Sequence, residues 1–230
     1  MAVHERVWET AASAPPKRPW RPVGTYALLA TMVAVYIVEL LVVRLPNTFT
    51  YHGATYDVAY FAFIIDTDVL WRPWTLVTAT LAHDPTNVAH LLFNGLFLFF
   101  FGPTLERLVG TKRYLLLFFI GGAVTGVAQV FLSAAVHEGG GALGASGALM
   151  LIFGALVAIM PKQKLLVYGV LPLPFWVAGL AYAALDVLGA FNPNSRVGNF
   201  AHLAGMGLGL LYGVWQKQDW TRRGVRLVTP

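Results

Sequence analysis

Ser146 stands in Gly144-Ala145-Ser146-Gly147 at the head of one apolar stretch, and His202 stands in Ala201-His202-Leu203-Ala204-Gly205 at the head of another. A third stretch opens with His90 and, four residues on, Asn94. A serine hydroxyl is a poor nucleophile until a base takes its proton, and imidazole is the usual base near neutral pH. Gly144 and Gly147 free the backbone around Ser146, so its amide can face a developing oxyanion. A helix start adds unsatisfied N–H groups and partial positive charge. His90 and Asn94 share one helical face as i and i+4 and can add side-chain donors to the same charge. These are the parts of a hydrolase. Polar groups at membrane depth are expensive, so finding them there is by default a functional hypothesis.

Each element has a plainer reading. Gly-x-Ser-Gly alone is a weak signal, because small residues are common where helices touch. A lone histidine in an apolar helix is usually a satisfied interhelical hydrogen bond. It is the conjunction of nucleophile, base and donors that favours catalysis.

The elements that must position these residues are membrane spans. The chain has 230 residues, 57% hydrophobic and only 12% charged, with mean hydropathy +0.63. A soluble domain carries about 25% charged residues. The absence of cysteine excludes a disulfide framework and a thiolate metal site. The sequence pI near 9.6 raises nucleic acid or anionic lipid as partners. The basic residues lie in short clusters between apolar runs, however, which fits membrane topology and lipid rather than nucleic acid.

Six apolar stretches are expected to span: about 25–43, 88–105, 114–136, 145–160, 165–188 and 198–215. The fourth is the shortest; at ~1.5 Å per residue it covers roughly 24 Å of a ~30 Å hydrocarbon core, so its N-terminal end lies below the surface. Pro172 and Pro174 make the fifth begin late, kink or pack loosely. Thirteen of the 16 lysines and arginines fall on the side shared by the two termini, which places both termini in the cytoplasm. Spans two, four and six then all run inward, and His90, Asn94, Ser146 and His202 share one depth near the outer face. Nothing in the charge count required that agreement. The expected organisation is a basic, proline-rich tail at 1–22, a domain at 23–216 and a tail at 217–230.

Residues 44–87 interleave aromatic and charged side chains, which suits short amphipathic helices lying in the interface. Glycines 205, 209 and 213 line one face of span six and invite close approach of another helix. His83 reads as interfacial rather than as a ligand. His137 and Glu138 are too few for a metal site. Glu39 and Asp186 fall near outer span ends, where carboxylates reach water; contact of Asp186 with the catalytic cavity is the minor alternative.

From Trp71 to Gly213 the residues resemble the rhomboid intramembrane serine proteases. Trp71-Arg72 resembles the family's Trp-Arg pair, and His90-Leu91-Leu92-Phe93-Asn94 its His-x-x-x-Asn. Glu106-Arg107 with Gly110 resembles the turn after its second span, and the segments around Ser146 and His202 resemble its serine and histidine motifs. The resemblance implies an all-α membrane protein, a six-transmembrane-helix rhomboid-like bundle. It also implies a Ser146–His202 dyad without a third carboxylate, and an oxyanion hole of His90, Asn94 and the Ser146 amide. Gly144, Gly147 and Met150 would shape the site. Met150 and Leu151 depart from the pattern, since family members often carry an aromatic residue and then a glycine there. Neither cofactor nor metal is implied. The substrates implied are transmembrane segments of membrane-anchored proteins, cut near the outer face, and the setting expected is a prokaryotic cell membrane. The oligomeric state is not legible.

Two rivals stand beside this reading. A catalytically silent relative that binds membrane clients is disfavoured because such relatives generally lack the serine or the histidine. A transporter is disfavoured because transporter sites sit near the midplane, whereas these four residues lie toward one face.

Overall fold

The computed structural model describes residues 20–44, 48–136, 141–167, 171–192, 195 and 197–225. His137, Glu138 and residues 1–19 of the expected N-terminal tail lie outside this set. The helices are α1 (Val23–Val42), α2 (Val58–Phe63), α3 (Thr75–Leu81), α4 (Val88–Val109), α5 (Thr111–Val136), α6 (Ser146–Ile159), α7 (Phe175–Ala190) and α8 (Asn199–Arg222). The six longer ones correspond to the six expected stretches, and the protein is an all-α membrane bundle of the expected kind. By length and composition alone, α1, α4 and α5 suffice to cross a membrane, while α6 and α7 are shorter apolar helices.

Two differences from expectation have local causes. The helix of the fifth stretch does not begin at 165, because Lys164–Val167 is a strand that pairs antiparallel with Leu171–Pro174. Pro172 and Pro174 remove donors and disfavour helix before them, so α7 starts only at Phe175. The helix of the sixth expected span, α8, runs on to Arg222, so the first residues of the expected tail at 217–230 are helical.

The segment between α1 and α4 also contains a hairpin, Thr48–Tyr51 with Ala54–Asp57, ahead of α2 and α3. His52 and Gly53 both take positive φ, 49° and 80°, the geometry a two-residue hairpin turn requires. Behind it Arg72 is fully buried and paired with Asp66. Its Nη1 donates to the carbonyls of Ile64 (3.2 Å), Tyr60 (3.3 Å) and Phe61 (3.4 Å). The neighbouring Trp71 and Leu70 point outward, 64% and 87% exposed. The Trp-Arg pair therefore divides its labour: arginine ties the segment together and tryptophan presents an apolar surface.

At the opposite end of the bundle Glu106 is fully buried and accepts from Gly24 N, Thr25 N, Thr25 Oγ1 and Thr111 Oγ1, each at 2.8 Å. One carboxylate thus satisfies the otherwise unpaired N-terminal amides of α1 and sits beside the start of α5. Gly110 takes a φ of 84°, which lets α4 end and α5 begin at once.

The core is built around α6, nearly all of whose residues are buried. Its main partner is α8. A Cβ on Gly205 would strike the Gly147 carbonyl, and one on Gly209 the Leu151 carbonyl. One on Gly213 would lie 2.6 Å from the Ala155 carbonyl. From the other side, a Cβ on Gly154 would lie 2.5 Å from the Met206 carbonyl. The glycine stripe read from the sequence therefore brings the two backbones into contact, one turn at a time.

Candidate active site

Ser146 is the first residue of α6 and His202 lies in the first turn of α8, so the glycine seam that joins these helices also sets the distance between these two side chains. The helix start at Ser146 has no side-chain cap, which leaves its first amides free of helical partners. The preceding loop is fixed by backbone bonds to the segment before α4. Ile65 and Ala142 exchange N–H···O bonds of 3.0 and 2.8 Å, and Gly144 N donates to Ala79 O at 2.8 Å. Gly144 has a φ of 119°, and a Cβ there would lie 2.8 Å from His90 Nε2. Only glycine meets both the backbone angle and the contact.

His90, Asn94, Gly144, Ser146, Gly147 and His202 all line one cavity of about 830 Å³. The structure thus brings together the residues singled out in the sequence, with one exception. Met150 is buried in the main core rather than in the cavity wall. Leu151 sends its side chain toward α5, where a Cβ on Gly121 would lie 2.7 Å from its Cδ1.

His90, Asn94 and His202 are each held by a partner. Asp84 N donates to His90 Nδ1 at 3.4 Å, which leaves Nε2 to carry the proton. Asn94 Nδ2 meets His83 Nε2 at 3.0 Å, and His83 Nδ1 meets Leu81 O at 3.1 Å. A carbonyl only accepts, so His83 donates through Nδ1 and accepts from Asn94 through Nε2. One Nδ2 proton of Asn94 remains for another acceptor. Burial, then the proximity of His90, lowers the His83 pKa from 6.5 to about 4, which keeps the ring neutral and accepting. The His83 amide donates to both Glu39 oxygens, at 3.0 and 3.2 Å.

Three sequence readings are corrected here. His83 is fully buried and braces Asn94 rather than lying at an interface. Glu39 is only 3% exposed and binds a backbone amide instead of reaching water. Asp186, 7% exposed, accepts from His202 Nδ1 at 2.9 Å. On α5, Gln129 adds a contact the sequence did not signal, accepting from Ala201 N at 3.0 Å beside His202. Among the described residues, no group of three metal-ligating side chains is gathered.

The seam, the serine and histidine at one end of it, and the His-x-x-x-Asn helix lining the same cavity define a helical membrane protein of one family. The rhomboid domain profile matches residues 70–218, and the chain belongs to the rhomboid family. It is 29% identical over 82% of its length to rhomboid protease GlpG of Haemophilus influenzae, spanning 88% of that protein. It is 33% identical over 65% of its length to the putative rhomboid protease YdcA of Bacillus subtilis, spanning 70% of it. The mitochondrial RHOMBOID-like protein 12 of Arabidopsis thaliana is 28% identical over 58% of the chain, which spans 44% of that relative.

Proposed function

We propose that this chain is an intramembrane serine endopeptidase that cleaves transmembrane segments of membrane-anchored proteins near the outer face. The observation that carries the reading is one cavity lined by Ser146, His202, His90 and Asn94, with His202 Nδ1 already engaged and Nε2 left as the base. As Ser146 Oγ attacks the scissile carbonyl, its proton passes to His202 Nε2. The oxyanion accepts from the Ser146 amide, the spare Nδ2 proton of Asn94 and His90 Nε2. His202 returns the proton to the leaving amine, and water then hydrolyses the acyl-enzyme by the same route. No step calls for metal or cofactor.

The domain at 23–216 sits as a multi-pass protein in a prokaryotic cell membrane, with the tails at 1–22 and 217–230 in the cytoplasm. The lysine and arginine bias and the bacterial relatives support that placement. The cavity then opens outward, where water reaches Ser146. A fluorophosphonate probe tests the site. Stoichiometric labelling of the purified full chain at Ser146, lost in His202→Ala, is the expected result. No labelling of a folded parent protein would remove the reading.

A further inference from the structure

The carboxylate of Asp186 has no place in a two-residue mechanism, yet it meets the catalytic base directly. Its Oδ1 lies 2.9 Å from His202 Nδ1, and the two side chains are only 10% and 13% exposed. A histidine satisfied for packing alone could bond any carbonyl. Here the acceptor is a carboxylate, is itself nearly buried behind the ring, and engages the ring nitrogen opposite the one that must take the serine proton. We propose that Asp186 is a positioning residue for His202, holding the ring through Nδ1 in the cavity that His202 shares with Ser146. The inference rests on the serine-protease reading above.

Three consequences follow from the contact. Accepting from Nδ1–H fixes the tautomer, so the Nε2 lone pair faces Ser146. It removes rotation of the imidazole about its side-chain torsions. It also places a negative charge against the imidazolium that forms when Nε2 takes the serine proton, in surroundings where charges are weakly screened. Proton balance is simple: the Oγ proton moves to Nε2, the Oγ–carbon bond forms, and the Nδ1 proton stays on His202 while Asp186 remains ionised.

The frame around the pair keeps this geometry. Asn199, at the start of α8, is wedged against the end of α7, where a Cβ on Gly189 would lie 2.5 Å from its Oδ1. Its Nδ2 donates to Ser195 Oγ at 2.7 Å and Val197 O at 3.1 Å. On the other side Gln129 holds the Ala201 amide, adjacent to His202. The end of α7 carrying Asp186 and the start of α8 carrying His202 are therefore fastened to each other.

Two substitutions in the full-length, lipid-reconstituted protein separate positioning from mere packing. Asp186→Asn keeps shape and loses charge; Asp186→Glu keeps charge and changes shape. Both are read by kcat and KM on a transmembrane reporter substrate and by the rate of fluorophosphonate labelling at Ser146, normalised to folded protein. The expected result is a loss of at least about tenfold in kcat and labelling rate for Asp186→Asn, with KM unchanged. That loss stays below the roughly 10⁴ seen when a soluble triad loses its carboxylate. Asp186→Glu recovers part of the rate. A packing role predicts the reverse order, with asparagine better tolerated than glutamate. Parental labelling and kcat in Asp186→Asn would overturn the proposal while leaving the Ser146–His202 reading intact. A folded parent that is not labelled at all would remove both.

Discussion

The two halves of the site are held by different physics. Ser146 and His202 are set by a seam in which backbone touches backbone: Gly205, Gly209 and Gly213 of α8 lie on the carbonyls of Gly147, Leu151 and Ala155. His90 and Asn94 lie on α4, and their polar atoms are aimed by contacts from the loop before it, backed by α1: Asp84 N on His90, His83 on Asn94, and Glu39 of α1 on His83. The seam depends on the absence of side-chain volume, whereas the polar half depends on each group keeping its hydrogen-bond partner. A membrane protein gains little from burying apolar surface against lipid, so close backbone approach and satisfied polar groups become the available means of precision.

The largest expected effect breaks the seam. Gly209→Leu drives a side chain into the Leu151 carbonyl, which cannot move without parting α6 from α8. The variant should lose at least the ~1–3 kcal/mol typical of overpacking, and peptidase activity with it. Gly207, on the same helix, has nothing within 4 Å of a built Cβ, so Gly207→Ala should keep activity and gain up to about 1 kcal/mol. Thermal unfolding in detergent, beside cleavage of a reporter substrate, checks the pair.

Breaking the polar half at its tip should spare the fold and cost rate. Asn94→Ala and His90→Ala each lose a donor that acts where charge develops, typically about 10²–10³ in kcat. Substrate affinity should change far less. Parental turnover in both single variants and the double would contradict the oxyanion assignment.

One step behind the tip, His83 supplies a pH signature. Its pKa is lowered to about 4 in the fold against 6.5 unfolded, so its contribution is full above 6.5 and fades as pH falls to 4, below which both states become protonated. The stability advantage of the parent over His83→Asn should shrink by about 3 kcal/mol across that window. Chemical denaturation of both proteins at pH 7.5 and pH 4 reads it directly; a constant difference would count against a neutral, accepting His83.

The smallest effect concerns the departure from the family pattern. Met150 lies in the core, so Met150→Tyr should cost about 1–3 kcal/mol by overpacking and leave kcat unchanged. A raised kcat would show that a ring at this position reaches His202.

These differences explain what was legible. The glycine spacing and the motifs around Ser146, His202, His90 and Asn94 report local geometry, and a shared depth follows from counting charges along the chain. The partners were not legible, because each is a single polar residue whose mate is distant: Glu39 and His83 are separated by 44 positions. Asp186 and His202 are only 16 positions apart, but across a loop whose path decides whether they meet. The hairpin before α7 was missed for a related reason. Two prolines announce that a helix starts late, but not that the residues ahead of them pair.

The central claim is that Ser146 and His202 cut a peptide bond within the membrane. Purified parent, Ser146→Ala and His202→Ala proteins, reconstituted in liposomes with a transmembrane reporter, test it most directly. The account predicts cleavage by the parent and none above background by either variant, with all three melting alike. Equal cleavage by the parent and Ser146→Ala would contradict it.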